Sequence, residues 1–145
     1  QQKLVIIGNG KAYKIKCLRY ISENNLSDSV MFLNNLNLAE MAAIYQSAQI
    51  MIYPSIFEGF GIPILESLFS KTPVIASKGG CFPEAGGPAT KYINPLSVSE
   101  MKDAILEIQN STELQNKMTE QGFEYAQNFT DDKIANNLME VYSNL

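Results

Sequence analysis

Histidine is absent from the 145 residues, so the chain holds no Ser-His or Cys-His dyad. Cysteine is nearly absent: Cys17 and Cys81 alone fit neither a disulfide framework nor a zinc set, and read as two unpaired thiols in a reducing cytoplasm. Basic runs are lacking as well. With 11 Lys and Arg against 15 Asp and Glu, the formal charge is −4 and the pI about 4.8. No cluster of cations suits a phosphate backbone, and nucleic acid is not expected as a partner. No apolar stretch is long enough to span a bilayer, and the amino terminus has no charged-then-apolar signal layout, so a cytoplasmic location is expected. Internal repeats and low-complexity stretches are missing too. Nothing offers a cluster of metal ligands, and no metal or other cofactor is expected.

What is present is a chain 46% hydrophobic and 18% charged, long enough to bury the core of one globular domain, read as residues 1–145. Short aliphatic runs alternate with helical patterns, which argues for α/β with a mostly parallel sheet. Leu4 to Ile7 reads as a strand closed by Gly8-Asn9-Gly10, followed by a helix to about Glu23 carrying Ile15, Leu18 and Ile21. After the loop Asn24 to Asp28, Val30 to Leu33 reads as a strand and Asn34 to Asn37 as the turn into a helix with Met41, Ile44 and Tyr45 on one face. Gln49 to Tyr53 and Pro73 to Ala76 are further strands, and Lys91 to Ile93 a short edge strand. Ser97 with Glu100 forms a capping-box pattern before a helical region in which Leu114, Met118 and Tyr125 keep helical spacing, interrupted by Gly122. Ile134, Leu138 and Val141 or Tyr142 mark a last helix.

The chemistry concentrates in Pro54 to Ser67, where Glu58 and Glu66 stand with seven residues between them across a strand-to-helix turn. Gly59 and Gly61 permit positive φ and close approach of a ligand. Pro63 is tolerated only where its missing N–H is no loss, which places the start of the helix near Ile62. The unpaired N–H groups and positive end of that helix would face the Gly-Phe-Gly loop and suit an anion such as a phosphate. Amide donors beside two carboxylates suit a ligand anionic in one part and rich in hydroxyls in another, as a nucleotide-sugar is. Without the rest of the motif, Glu66 would read as a carboxylate complementing a helix dipole, Glu58 as a solvated loop charge and Phe60 as an apolar plug. Gly8-Asn9-Gly10 lacks the third glycine of the dinucleotide fingerprint, so NAD binding is a poor second choice. Gly79-Gly80 and Glu84 read as a turn and a loop charge.

The run from Glu58 to Glu66 resembles the E-x7-E signature of retaining GT-B glycosyltransferases, the group 1 or family 4 enzymes, in the form E-G-F-G-(aliphatic)-P-x-x-E. The resemblance extends to Leu4 to Gly10, to Val30 to Leu33, to Thr72 to Gly80 with Pro83-Glu84, and to Phe129-Thr130 before the last helix, and so covers nearly the whole chain. It implies a Rossmann-like parallel sheet flanked by helices, the carboxyl-terminal donor-binding half of a GT-B fold, incomplete at its amino end. The implied activity is transfer of a hexose from a nucleotide-sugar donor to an acceptor hydroxyl with retention, without a metal ion. The resemblance implies that Glu58 lies against the donor sugar as the catalytic carboxylate and that Glu66 grips the ribose hydroxyls. Backbone amides of Gly59, Phe60, Gly61 and Ile62 would approach sugar and diphosphate.

The resemblance also implies partners. An amino-terminal domain would bind the acceptor, and an Arg and a Lys after the first strand of this domain would stabilise the leaving group; neither is in these residues, so this chain alone is expected to be inactive. Peripheral membrane association of the full enzyme stays open. In the doubly wound order 3-2-1-4-5-6, the absent first strand lies between Leu4 to Ile7 and Gln49 to Tyr53. An empty slot would leave two rows of backbone groups unpaired, so either the neighbours are expected to close up in parallel or the strand belongs to chain upstream. Other classes consistent with the motif are a non-catalytic nucleotide-sugar binding module and part of a GT-B nucleotide-sugar epimerase. Intact Glu58 and Glu66 argue against the first, and E-G-F-G-I-P lies closer to transferases than to epimerases.

Overall fold

The computed structural model describes residues 2–144. The chain forms two compact units, Gln1–Met41 and Ala42–Leu145. In the first, β1 (Leu4–Ile7) passes through α1 (Lys11–Glu23) to β2 (Val30–Leu33), and the two strands pair in parallel with Leu4 opposite Val30 and Ile7 opposite Leu33. The amides of Leu4 and Gly8 extend the ladder to the carbonyls of Ser29 and Leu33, at 2.8 and 3.1 Å. Within α1, Ile21 is buried while Ile15 and Leu18 are exposed. The turn before α2 (Leu38–Ser47) is a complete capping box: Glu40 donates its amide to Asn37 Oδ1 at 3.0 Å, and Asn37 donates its own to Glu40 Oε2 at 2.8 Å.

The second unit holds a three-stranded parallel sheet in the order β3 (Met51–Tyr53), β4 (Val74–Ser77), β5 (Lys91–Ile93). Between the strands run α3 (Ile62–Phe69) and the short α4 (Phe82–Gly86); after them come α5 (Val98–Gln109), α6 (Thr112–Ala126), a 3₁₀ turn Gln127–Phe129 and α7 (Asp131–Ser143). The central strand β4 begins one residue later than expected, because Pro73 has no N–H for the ladder and contributes only its carbonyl, which accepts from Met51 at 2.9 Å. Every residue of β4 is buried, and its alternation divides the core. Val74 and Ala76 pack with Ile64, Leu68, Phe82, Ala85 and Ala126, while Ile75 packs with Ile93, Ala104, Ile108 and Met118. Burying each large aliphatic side chain contributes on the order of 1.5–3 kcal/mol.

Helix ends follow the sequence with one change. Ser97 caps α5 by accepting the Glu100 amide at 3.2 Å, but the Glu100 carboxylate returns to the amide of Asn94, at 2.7 Å. The amide of Ser97 is already bonded to the Asn94 carbonyl at 2.9 Å, so the carboxylate takes the next free donor. Gly122 does not interrupt α6. It is the position where α6 meets α3, and a Cβ there would lie 2.7 Å from Leu68 Cδ2. In α7 every described residue is exposed, including the apolar row Ile134, Leu138 and Val141.

One expected arrangement is not formed. Among the described residues β1 pairs with β2 alone and β3, β4 and β5 form a separate sheet, so Leu4 to Ile7 and Met51 to Tyr53 share no ladder. In the order 3-2-1-4-5-6 these two strands flank the first strand and are not neighbours of each other, so pairing them directly would replace the ladder that the order assigns to the strand between them.

Candidate functional site

Ligand crevices of parallel sheets lie beyond the carboxyl ends of the strands. β3 ends at Tyr53 and β4 at Ser77, so residues 54–61 and 78–81 are the loops at that end. The first loop is laced to the second. Ser77 Oγ donates to the carbonyl of Ser55 at 2.6 Å, and Cys81 Sγ to that of Glu58 at 3.4 Å. Within the first loop, Ser55 Oγ stands 2.9 Å from Glu58 Oε1 and 3.3 Å from the Phe57 carbonyl. A hydroxyl has one proton to give, and the shorter, charge-assisted contact favours Glu58. Burial first, then the interaction with the Glu58 carboxylate, push the Tyr53 phenol up to about 12.

Gly61 starts α3 with φ 108° and ψ 43°, a conformation that only glycine adopts readily, and Pro63 lies in the first turn. No side chain caps this end. Gly59 differs from the expectation: its φ is not positive, and a Cβ there would meet nothing within 4 Å. The space around Gly59 is open, and no left-handed turn is made there. Phe60 is an apolar plug, packed on the core with its ring tilted at 56° to that of Phe129 at 5.8 Å, which in turn meets Tyr125 at 5.6 Å.

Glu66, one turn into α3, is half-buried, and its Oε2 accepts a hydrogen bond from Tyr45 Oη at 3.1 Å. Burial, then the Glu66 charge, hold the Tyr45 phenol far above its ordinary value. A cavity of about 400 Å³ opens beside Glu66, lined also by Phe60, Ile62, Leu65, Phe69, Phe129 and Ile134. Phe60, Ile62 and Glu66 therefore border one space, and Glu58 is not among its lining residues. Gly79 and Gly80, with φ of 90° and 57°, form the expected turn, and Glu84 lies in the first turn of α4. Among the described residues no group of three or more acidic or thiol side chains is placed to hold a metal ion, and no helix is long and apolar enough to cross a membrane.

The motif reading found the two carboxylates but not what holds them. Ser55, Ser77 and Cys81 stand in stretches singled out for other reasons, and Tyr45 read only as an apolar-face residue of α2. The available signal was its hydroxyl, since a polar group on a buried face needs a partner.

An α/β domain of parallel strands flanked by helices is the fold of glycosyltransferase carboxyl-terminal domains. The chain belongs to the family "Glycosyl transferases group 1", whose sequence profile matches residues 1–125. It is 34% identical over 106 residues to the O-antigen chain mannosyltransferase RfbU of Salmonella typhimurium, covering 73% of this chain and 30% of the relative. The fold matches the carboxyl-terminal domain of the group 1 glycosyltransferase LpcC from Francisella tularensis, with TM-score 0.78 and 24% identity over 88% of this chain and 69% of that one. It also matches Anabaena Alr3699/HepE, solved with UDP-glucose, with TM-score 0.83 and 21% identity over 99% of this chain and 41% of that one. The chain spans 30% and 40% of the length of two curated relatives. It has the fold of the carboxyl-terminal part of a GT-B glycosyltransferase.

Proposed function

We propose that the chain binds a nucleotide-sugar donor, and that the enzyme it belongs to transfers a hexose from that donor to an acceptor hydroxyl with retention of configuration. The observation that carries this reading is that both motif carboxylates are held by protein hydroxyls, Glu58 by Ser55 and Glu66 by Tyr45, rather than left to solvent. Preorganised acceptors of this kind suit a polyhydroxylated ligand. The UDP-glucose bound to HepE and the mannosyl transfer in the name of RfbU support the donor class. In this reading Glu58 contacts the donor sugar as the catalytic carboxylate and Glu66 accepts from ribose hydroxyls. Gly59, Phe60, Gly61 and Ile62 present backbone amides to sugar and diphosphate, where negative charge builds on the leaving group. The acceptor-binding amino-terminal domain is the partner, and the cytoplasm is the proposed location.

Steady-state kinetics of the whole enzyme test the roles. Glu66→Ala is expected to raise the KM for donor, and Glu58→Ala to lower kcat more than it raises KM. The 145-residue chain by itself is expected to show no transfer, because much of the transition-state stabilisation belongs to the rest of the enzyme. Turnover by the isolated chain, or kinetics in which neither substitution has its effect, refutes the assignment.

A further inference from the structure

Tyr45 is 7% exposed, near the end of α2, and is fixed at two points. Its carbonyl accepts from Thr72 Oγ1 at 2.6 Å, and its hydroxyl donates to Glu66 Oε2 at 3.1 Å. A free glutamate side chain samples many rotamers, and a ligand that uses it must first order it. Here the ordering is done in advance by a phenol whose ring is too enclosed to swing away. The bond occupies one of the roughly four lone-pair directions of the carboxylate, leaving Oε1 and one direction on Oε2. Two adjacent acceptor directions on one fixed carboxylate match two adjacent hydroxyls on a ring. Burial keeps the phenol protonated and donating throughout the neutral range.

We propose that Tyr45 is a positioning residue of the donor site: by holding Glu66 in one orientation it presents the free carboxylate oxygens to the vicinal diol of the nucleotide ribose, and so sets the preference for ribonucleotides over 2′-deoxyribonucleotides. The inference rests on the reading of Glu66 as a ribose acceptor and adds the residue that makes that acceptor selective. At 3.1 Å the bond is longer than the shortest charge-assisted O–H···O contacts. Its loss is therefore expected to weaken binding about three- to tenfold rather than abolish it.

The test titrates the ¹⁵N-labelled whole enzyme with UDP, GDP and ADP and with their 2′-deoxy counterparts, following the amides from Gly59 to Glu66. Four proteins are compared with the diphosphate that binds most tightly: wild type, Tyr45→Phe, Glu66→Ala and the double variant. Tyr45→Phe is expected to weaken the ribonucleotide about three- to tenfold, to leave the deoxynucleotide nearly unchanged, and to have no further effect once Glu66 is alanine. Glu66→Asp, which keeps the charge but withdraws it from the phenol by one methylene, should lose the ribose preference in the same way. A purely structural hydroxyl would instead weaken both nucleotides equally and persist in the Glu66→Ala background. Absence of shifts with all three diphosphates, or unchanged binding by Glu66→Ala, overturns the donor-site reading itself. Weakened binding by Glu66→Ala, with the ribose preference intact in Tyr45→Phe or in Glu66→Asp, overturns the positioning role alone. Should Tyr45→Phe not fold, Glu66→Asp decides the matter by the same ratio.

Discussion

Replacing Gly61 by alanine probes the joint on which the site is built. Its φ of 108° and ψ of 43° lie outside the regions open to L-residues, and holding alanine there costs about 1–3 kcal/mol. The new methyl would lie 3.2 Å from Ile64 Cδ1 and 3.4 Å from Ala85 Cβ. Ile64 is fully buried, so the tighter contact is relieved only by shifting core atoms, which adds up to about 1 kcal/mol. Against this, alanine reduces the entropy of the unfolded chain, an offset of about 0.4–1 kcal/mol. The net expectation is a loss of about 2 kcal/mol, or roughly 4–8 °C in Tm for a chain of this size. Urea unfolding followed by far-UV circular dichroism measures it, with Gly59→Ala as control. Gly59 has no positive φ and a Cβ there meets nothing within 4 Å, so its replacement should change stability by no more than about 0.5 kcal/mol. A Gly61→Ala midpoint equal to wild type, or a Gly59→Ala midpoint equally lowered, refutes the reasoning.

At Gly87, φ is 60° and a Cβ would lie 2.5 Å from two ring carbons of Tyr125, whose hydroxyl is tied to the Glu84 carbonyl at 2.6 Å; Gly87→Ala should cost about 3 kcal/mol or more in a thermal melt, and a loss below about 1 kcal/mol would contradict the packing. Burial, above all, pushes Tyr92 up to about 12, so its contribution to stability is complete below about pH 10, where an unfolded tyrosine begins to ionise, and is lost as pH rises through 12. Tyr92→Phe should therefore flatten the fall in unfolding free energy between about pH 10 and 12, and an unchanged alkaline slope would show that the phenol is not protected.

Elements whose causes are local could be read from the chain. Pro63 can stand only in a first helical turn, so α3 begins at Ile62; Ser97 three residues before Glu100 announces the start of α5; the aliphatic runs ending at Ile7 and Leu33 are strands. Local signals fail where they compete with packing. Gly122 carries the entropy penalty of a helical glycine, yet α6 runs through it because Leu68 needs the space a side chain would take. Pattern also overstated Ile15 and Leu18, whose periodicity marks a helix without saying what covers it.

The site divides along the same line. By itself the sequence determined the residue types of the motif, their order and the helix that carries Glu66, because glycine and proline act through the backbone of their immediate neighbours. Tertiary structure alone decided what each carboxylate bonds to. Glu66 meets Tyr45 across 21 residues of chain, and Ser77 ties down the Glu58 loop across 22. Such partners are chosen by the register in which β3 and β4 pair and by how α2 and α3 are set beside them. A hydrogen bond needs its donor within a few tenths of an ångström, and no spacing along the chain carries that information until the sheet has formed.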